Sequence, residues 1–283
     1  MAQIKTVGIV GAGTMGQGIA QAVALGGYQV ILNDIDAALI AQAITNIAQN
    51  LDRGIEKGKL DKNQKDIALS RISSTDDLKQ VEADLIIEAV VEDLSIKVEI
   101  FKQLEKVNSQ ETIFVSNTSS IPIKHIAECL NRPQRLAGLH FFNPAHIMKL
   151  VEVIKAKETS NQTVDILNDF TKSIGKYPAA AADSPGFIVN RVARHYYVES
   201  LLVLEESVAS HETIDDLLEN QGFRMGPFRL MDLIGIDTNF AVTQSLYHSF
   251  NNAPKFKPSE IQRAKVVAGQ LGRKSGKGFY KYD

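Results

Sequence analysis

Two sets of residues in this chain have types and spacings that could do chemistry. In the first, "VGIVGAGTMGQG" at positions 7–18 places Gly11, Gly13 and Gly16 in a G-x-G-x-x-G pattern directly after an apolar run. Glycine weakens regular structure, so such a cluster points to something that must approach the backbone closely. Between a strand and a helix, Gly11 permits the tight turn, Gly13 lets a pyrophosphate reach the main chain, and Gly16 lets the helix pack on the strand. The helix start then presents unpaired N–H groups to the phosphates. Asp34 closes the next apolar run, eighteen residues after Gly16. A carboxylate there accepts hydrogen bonds from ribose hydroxyls and repels a 2′-phosphate, so the expected cofactor is NAD rather than NADP.

The second set lies in "GLHFFNPAHIMKLVEVI" (138–154). His140 ends one apolar run, and Glu152 interrupts another. Strand alternation puts Val151 and Val153 on one face and Leu150, Glu152 and Ile154 on the other. A carboxylate on an otherwise apolar face is costly unless paired. His140 is the natural partner, because Glu152 would fix the imidazole tautomer and stabilise its protonated form. That pair is a candidate general base.

These residues need a scaffold, and the pattern of the chain supplies one. Strands are expected at 4–10, 29–33, 85–89, 112–117, 135–142 and 150–155, with helices at 15–26, 36–57, 94–106 and 159–174. Alternation of this kind argues for βαβ units and a mainly parallel, doubly wound Rossmann-type sheet. Beyond "DSPGFIVNR" (183–191) the apolar spacing becomes helical throughout, at 187–207, 211–221, 227–248 and 258–271, with 250–260 read as a loop. The expected fold is therefore α/β, with a dinucleotide-binding domain over 1–184 and an all-helical C-terminal domain over 185–283.

Composition removes several function classes. The formal net charge is −2, so no global field would draw the chain to nucleic acid or an anionic membrane. No apolar run approaches a membrane span. Cys129 is the only cysteine, which makes a structural zinc site improbable on composition and a reducing cytoplasm the expected compartment. The first ten residues run directly into a strand-like pattern, so no signal peptide is expected.

Together "GAGTMGQGIA", "SNTSS", "GLHFFNPAHIMKLVEV", "SPGFIVNRV" and "GRKSGKGFYKY" resemble the short-chain L-3-hydroxyacyl-CoA dehydrogenases, and most of all their bacterial 3-hydroxybutyryl-CoA branch. The resemblance runs over almost the whole chain. It implies NAD-dependent interconversion of a 3-hydroxyacyl-CoA and a 3-ketoacyl-CoA, in a homodimer formed through the helical half. It makes His140 the catalytic base and Glu152 its partner, and gives Ser119 and Asn190 the substrate's reacting oxygens. Thr14, Met15 and Asn117 join the glycines in the cofactor site, and Glu92 and Lys97 fall near the nicotinamide and its ribose. Some relatives hold CoA with a serine and a lysine on the long second helix. Here those positions are Asn50 and Lys57, so Arg53 and Lys57 become the candidates for the CoA phosphates. The acyl group itself stays open, with butyryl, longer chains and a dicarboxylyl chain such as adipyl all served by the same catalytic residues. A non-CoA hydroxy-acid dehydrogenase and a non-catalytic NAD-binding protein are the alternatives.

Asp34 yields the first prediction. The chain should use NADH in clear preference to NADPH, and Asp34→Ser should narrow that preference mainly by weakening NADH. Comparable kcat/KM for the two cofactors in the unaltered protein would contradict it.

Overall fold

A computed structural model describes residues 4–282. The chain divides into two compact units, Met1–Ser184 and Pro185–Asp283. The first is built in the order β1 (Thr6–Val10), α1 (Thr14–Leu25), β2 (Gln29–Asn33), α2 (Ala37–Glu56), α3 (Lys62–Ser70), β3 (Ile72–Thr75), β4 (Leu85–Glu88), α4 (Leu94–Val107), β5 (Ile113–Ser116), α5 (Ile123–Ala127), β6 (Leu136–Phe141), β7 (Leu150–Lys155), α6 (Asn161–Ser173) and β8 (Tyr177–Ala182). The eight strands form one sheet in the order β3-β2-β1-β4-β5-β6-β7-β8. Strands β1 to β6 are mutually parallel, and β7 pairs antiparallel with β6 and parallel with β8. This is the mainly parallel, doubly wound sheet expected from the sequence.

One face of the sheet carries Val7, Ile9, Leu85, Ile87, Leu139, Phe141, Val151 and Val153, packed with Ala20 and Val23 of α1, Ile40 and Ile47 of α2, and Leu167 and Phe170 of α6. The opposite face carries Ile86 and Phe114, and Phe101 of α4 meets Phe114 edge-on, with ring centroids 5.9 Å apart. Period-two alternation thus assigns Glu88, Ser116, His140 and Glu152 to this second face, since their strand neighbours belong to the first. They fall at or near the end of the sheet where β1, β4, β5 and β6 finish, which is where ligands of such sheets bind.

The first unit also holds elements beyond the sequence reading. Strands β3 and β8 and helices α3 and α5 were not expected. Strand β8, "YPAAAA", has little strand character of its own and forms by pairing along the whole of β7. Helix α5 has no side-chain cap of its own at Pro122. Its first amides, Ile123 N and Lys124 N, donate to the Asp183 carboxylate at 3.0 and 2.8 Å, sixty residues away in the chain. Helix α2 is capped by Asp36, which accepts from Ala38 N at 2.8 Å, leaving Asp34 for other work.

The second unit contains α7 (Val189–Glu205), α8 (His211–Asn220), α9 (Pro227–Ile234), α10 (Ile236–Ser249) and α11 (Glu260–Val267). The expected helix over 227–248 is two helices, broken at Gly235, whose φ of +103° lies outside the helical region. The segment "GRKSGKGFYKY" (272–282) folds back on buried acids. Asp232 is fully buried and accepts from Phe279 N, Tyr280 N and the Tyr282 hydroxyl, each at 2.9 Å. A side chain at Gly278 would collide with the Asp232 carboxylate, 2.1 Å from an added Cβ. Asp215, also fully buried, accepts from Phe228 N, Arg229 N and the Tyr280 hydroxyl at 2.8–3.0 Å. Burial pushes its carboxyl above the ordinary aspartate range despite those donors.

Asp232→Asn should therefore loosen the chain end. An amide nitrogen facing backbone N–H groups leaves buried donors unpaired, at a cost of roughly 2–4 kcal/mol. Hydrogen exchange at Phe279 and Tyr280 should accelerate with it. Unchanged exchange at those two amides would show that the tail is held by packing alone.

Candidate active site

Each residue of the glycine turn has a steric reason. Gly11 has φ +104°, and an added Cβ would lie 2.6 Å from the Ala89 carbonyl oxygen. At Gly16 it would lie 1.7 Å from the Gly11 oxygen. At Gly13 nothing stands within 4 Å, so the absent side chain leaves open space on the outer side of the turn. Gly13 is also the N-cap of α1, and no side chain caps that helix end, where the exposed Thr14 and half-buried Met15 form the first turn. A pyrophosphate fits such a place, because it needs close backbone approach and amide donors. Asp34 accepts from Ala12 N at 2.8 Å and from Asp36 N at 3.1 Å, which ties the end of β2 to the glycine turn. Half-buried, it fits the position of a ribose acceptor beside that turn.

On β6 and β7, the second face of the sheet holds the candidate base. His140 and Glu152 are direct cross-strand partners on β6 and β7. Nδ1 of His140 lies 2.7 Å from Oε2 of Glu152, with His140 6% exposed and Glu152 fully buried. The loop between these strands is held by Lys176, whose ammonium donates to the carbonyls of Ala145 at 2.6 Å and Met148 at 2.8 Å. Burial lowers the Lys176 pKa, and burial with the nearby Lys176 charge lowers that of His146. Ala145 in turn sits against Gly18 of α1, where an added Cβ would come within 3.1 Å of its own. The hairpin bearing the pair is thereby packed on the helix that starts at the glycine turn.

Ser119 lies in the segment after β5. Its backbone N–H donates to Oε1 of Glu92 at 3.0 Å, and so do Ser120 N at 3.0 Å, the Ser120 hydroxyl at 2.9 Å and the Thr118 hydroxyl at 2.6 Å. Burial pushes the Glu92 carboxyl up, but the Lys97 ammonium and the Thr118 and Ser120 hydroxyls outweigh it and hold the group below the ordinary glutamate range. Lys97 is 1% exposed, and its ammonium is bound by Glu88 at 2.6 Å and Glu92 at 3.3 Å. Asn117 accepts from Phe141 N at 2.8 Å, linking this segment to the residue after His140. Glu88 was missed by the sequence reading, although "LIIEA" carried the same signal as Glu152, a carboxylate in an apolar strand.

Other expected residues lie elsewhere. Arg53 and Lys57 are exposed, one turn apart at the end of α2, and Arg53 reaches Asn50 only at 3.5 Å. Asn190 stands in the first turn of α7, in the other unit. Among the described residues no group of three or more His, Cys, Asp or Glu could hold a metal ion, and no helix is long and apolar enough to cross a membrane.

Comparison with known proteins shows the family. The family model of the 3-hydroxyacyl-CoA dehydrogenase NAD binding domain matches residues 6–184, and that of the 3-hydroxyacyl-CoA dehydrogenase C-terminal domain matches residues 186–282. The chain is 46% identical over 282 residues to 3-hydroxyadipyl-CoA dehydrogenase of Escherichia coli (strain K12), covering 99% of this chain but 59% of that protein's length. It is 41% identical to the mitochondrial hydroxyacyl-coenzyme A dehydrogenase of Sus scrofa, over 99% of this chain and 91% of that one. The crystal structure of (S)-3-hydroxybutyryl-CoA dehydrogenase from Ralstonia eutropha superposes with a TM-score of 0.95 at 42% identity, covering 99% of this chain and all of that one. NAD is the cofactor of the first domain, and the chain belongs to the 3-hydroxyacyl-CoA dehydrogenase family of NAD-dependent oxidoreductases.

Proposed function

We propose that this protein interconverts an (S)-3-hydroxyacyl-CoA and its 3-ketoacyl-CoA, with His140 and Glu152 as the general-base pair. The observation that carries the reading is the buried 2.7 Å contact between His140 Nδ1 and Glu152 Oε2. NAD, when bound, supplies the redox chemistry by taking a hydride from C3 of the substrate. With Nδ1 committed to Glu152, His140 receives the hydroxyl proton on Nε2. Glu152 stabilises the resulting imidazolium, and its burial strengthens that attraction. Ser119 orients the reacting oxygen from a segment held by Glu92, and Asn190 assists from α7. Gly11, Gly13, Thr14, Met15 and Gly16 bind the dinucleotide phosphates, Asp34 its ribose, and Asn117, Glu92 and Lys97 support the nicotinamide side. Lys97, enclosed by two carboxylates, does so through Glu92. Arg53 and Lys57 meet the CoA phosphates.

The acyl group is 3-hydroxybutyryl in the first reading. The name of the Escherichia coli relative supports a second, 3-hydroxyadipyl. The lone cysteine, exposed and unbridged, supports a reducing cytoplasm.

The pair is tested with acetoacetyl-CoA and 3-ketoadipyl-CoA as parallel substrates. His140→Ala should lower kcat by about a hundred- to ten-thousand-fold while NADH affinity stays near that of the unaltered protein. Glu152→Gln should also lower kcat strongly, and the double variant should be little worse than His140→Ala alone, since groups acting as one unit are non-additive. Losses that multiply would refute the pairing.

The helical unit is proposed to form a homodimer. It exposes Val192, Val208, Leu217 and Phe223, each more than half accessible, as material for an apolar interface. Sedimentation at micromolar concentration should give twice the 31.1 kDa chain mass, and a monomer would refute the dimer.

A further inference from the structure

Glu88 is fully buried, and no part of the proton chemistry above uses it. Its bonds nonetheless lead toward Ser119 along two routes. Along the first, Oε1 of Glu88 binds the Lys97 ammonium at 2.6 Å, Lys97 binds Oε2 of Glu92 at 3.3 Å, and Oε1 of Glu92 accepts the amides of Ser119 and Ser120. Along the second, Oε2 of Glu88 accepts from the Ser116 hydroxyl at 2.6 Å, and that oxygen accepts from Thr118 N at 3.2 Å. The Thr118 hydroxyl closes the circuit by donating to Glu92 and accepting from Ser120 N and Ile121 N. Glu88 also accepts from Val90 N at 2.7 Å, and its own carbonyl accepts from Asn117 N at 2.8 Å.

We propose that Glu88 is a positioning residue for the dehydrogenase reaction, setting the Ser119 segment through Lys97–Glu92 on one side and Ser116–Thr118 on the other. The inference rests on the proposed role of Ser119. A buried ammonium and a buried carboxylate are tolerable only as a pair. Were Glu88 neutral, Lys97 would keep Glu92 as its one charged partner and draw that carboxylate toward itself. Glu92 would then hold the Ser119 and Ser120 amides less well. A displacement near 1 Å in an orienting group costs on the order of a hundredfold in rate. Glu152 pairs with His140 across β6 and β7, away from the Lys97–Glu92 and Ser116–Thr118 routes described.

The experiment uses Glu88→Gln in the full chain with NADH and acetoacetyl-CoA. Expected are a kcat lower by about ten- to a hundredfold, an NADH affinity within about threefold of the unaltered protein, and faster hydrogen exchange at Ser119 and Ser120. Combined with Ser119→Ala, the loss should be no greater than that of Ser119→Ala alone. Combined with Glu152→Gln, the losses should multiply. Unchanged exchange at the two amides, or losses that multiply with Ser119→Ala, would overturn the proposal. If Glu88→Gln does not fold, Ser116→Ala cuts one route while leaving the ion pair, and it should still speed exchange at both amides, with no effect there overturning the proposal equally. If the unaltered protein turns over neither acetoacetyl-CoA nor 3-ketoadipyl-CoA, the functional reading fails, while the amide exchange still decides the role of Glu88.

Discussion

A carboxylate taken out of water must be paired, and in the first unit that requirement governs how the site is built. Glu152 is fully buried, and its partner is the imidazole directly across the strand pair. Moving an ion of this size into the interior carries a penalty of several kcal/mol unless geometry and hydrogen bonds compensate. The constraint reaches down to strand direction. β7 runs antiparallel to β6, so Glu152, its third residue, meets His140 near the end of β6. It reaches to register as well, because a slip of one residue would turn Glu152 toward the face packed with Leu139 and Val153. The Lys176 ammonium, by holding two carbonyls of the connecting loop, supports the same register from outside the sheet.

At the glycine turn a single carboxylate has one task in the fold and one proposed for it. Asp34 accepts Ala12 N within the turn, and the ribose of a dinucleotide is the ligand proposed for it. On that proposal, turn geometry and nucleotide choice are coupled at one side chain. The space at Gly13 and the crowding at Gly11 and Gly16 complete the division. Two of these glycines are required by the protein's own packing, while the third faces open space.

The parts of this arrangement legible in the sequence are those whose signal is local. The glycine spacing, the acid at the end of the second strand, and the odd carboxylate in "LVEVIK" each break a pattern within a few residues. What escaped depends on partners far along the chain. Strand β8 is alanine-rich and exists through β7, and α5 takes its cap from Asp183. The break at Gly235 lies inside a run that keeps helical spacing on both sides. The tail motif carried no readable role because its partners, Asp232 and Asp215, belong to α9 and α8. Glu88 shows a different failure. Its signal was as local as that of Glu152, but its partners Lys97 and Ser116 lie nine and twenty-eight residues on, with no histidine nearby to suggest chemistry.

Buried carboxylates thus serve three ends here, and what separates them is the partner rather than the acid. Asp232 faces backbone amides and a phenol, groups that hold their protons through the neutral range, so it can only fasten a chain end. Glu88 faces an ammonium and a serine hydroxyl, which makes it an anchor for what those groups hold in turn. Glu152 faces an imidazole, the one side chain whose ordinary titration range spans neutral pH. Charge on Glu152 can therefore bias a proton equilibrium, whereas charge on Asp232 biases only structure. The proposed proton chemistry rests on the His140 pair for that reason, while the partners of Asp232 all lie in its own unit, at Phe279, Tyr280 and Tyr282.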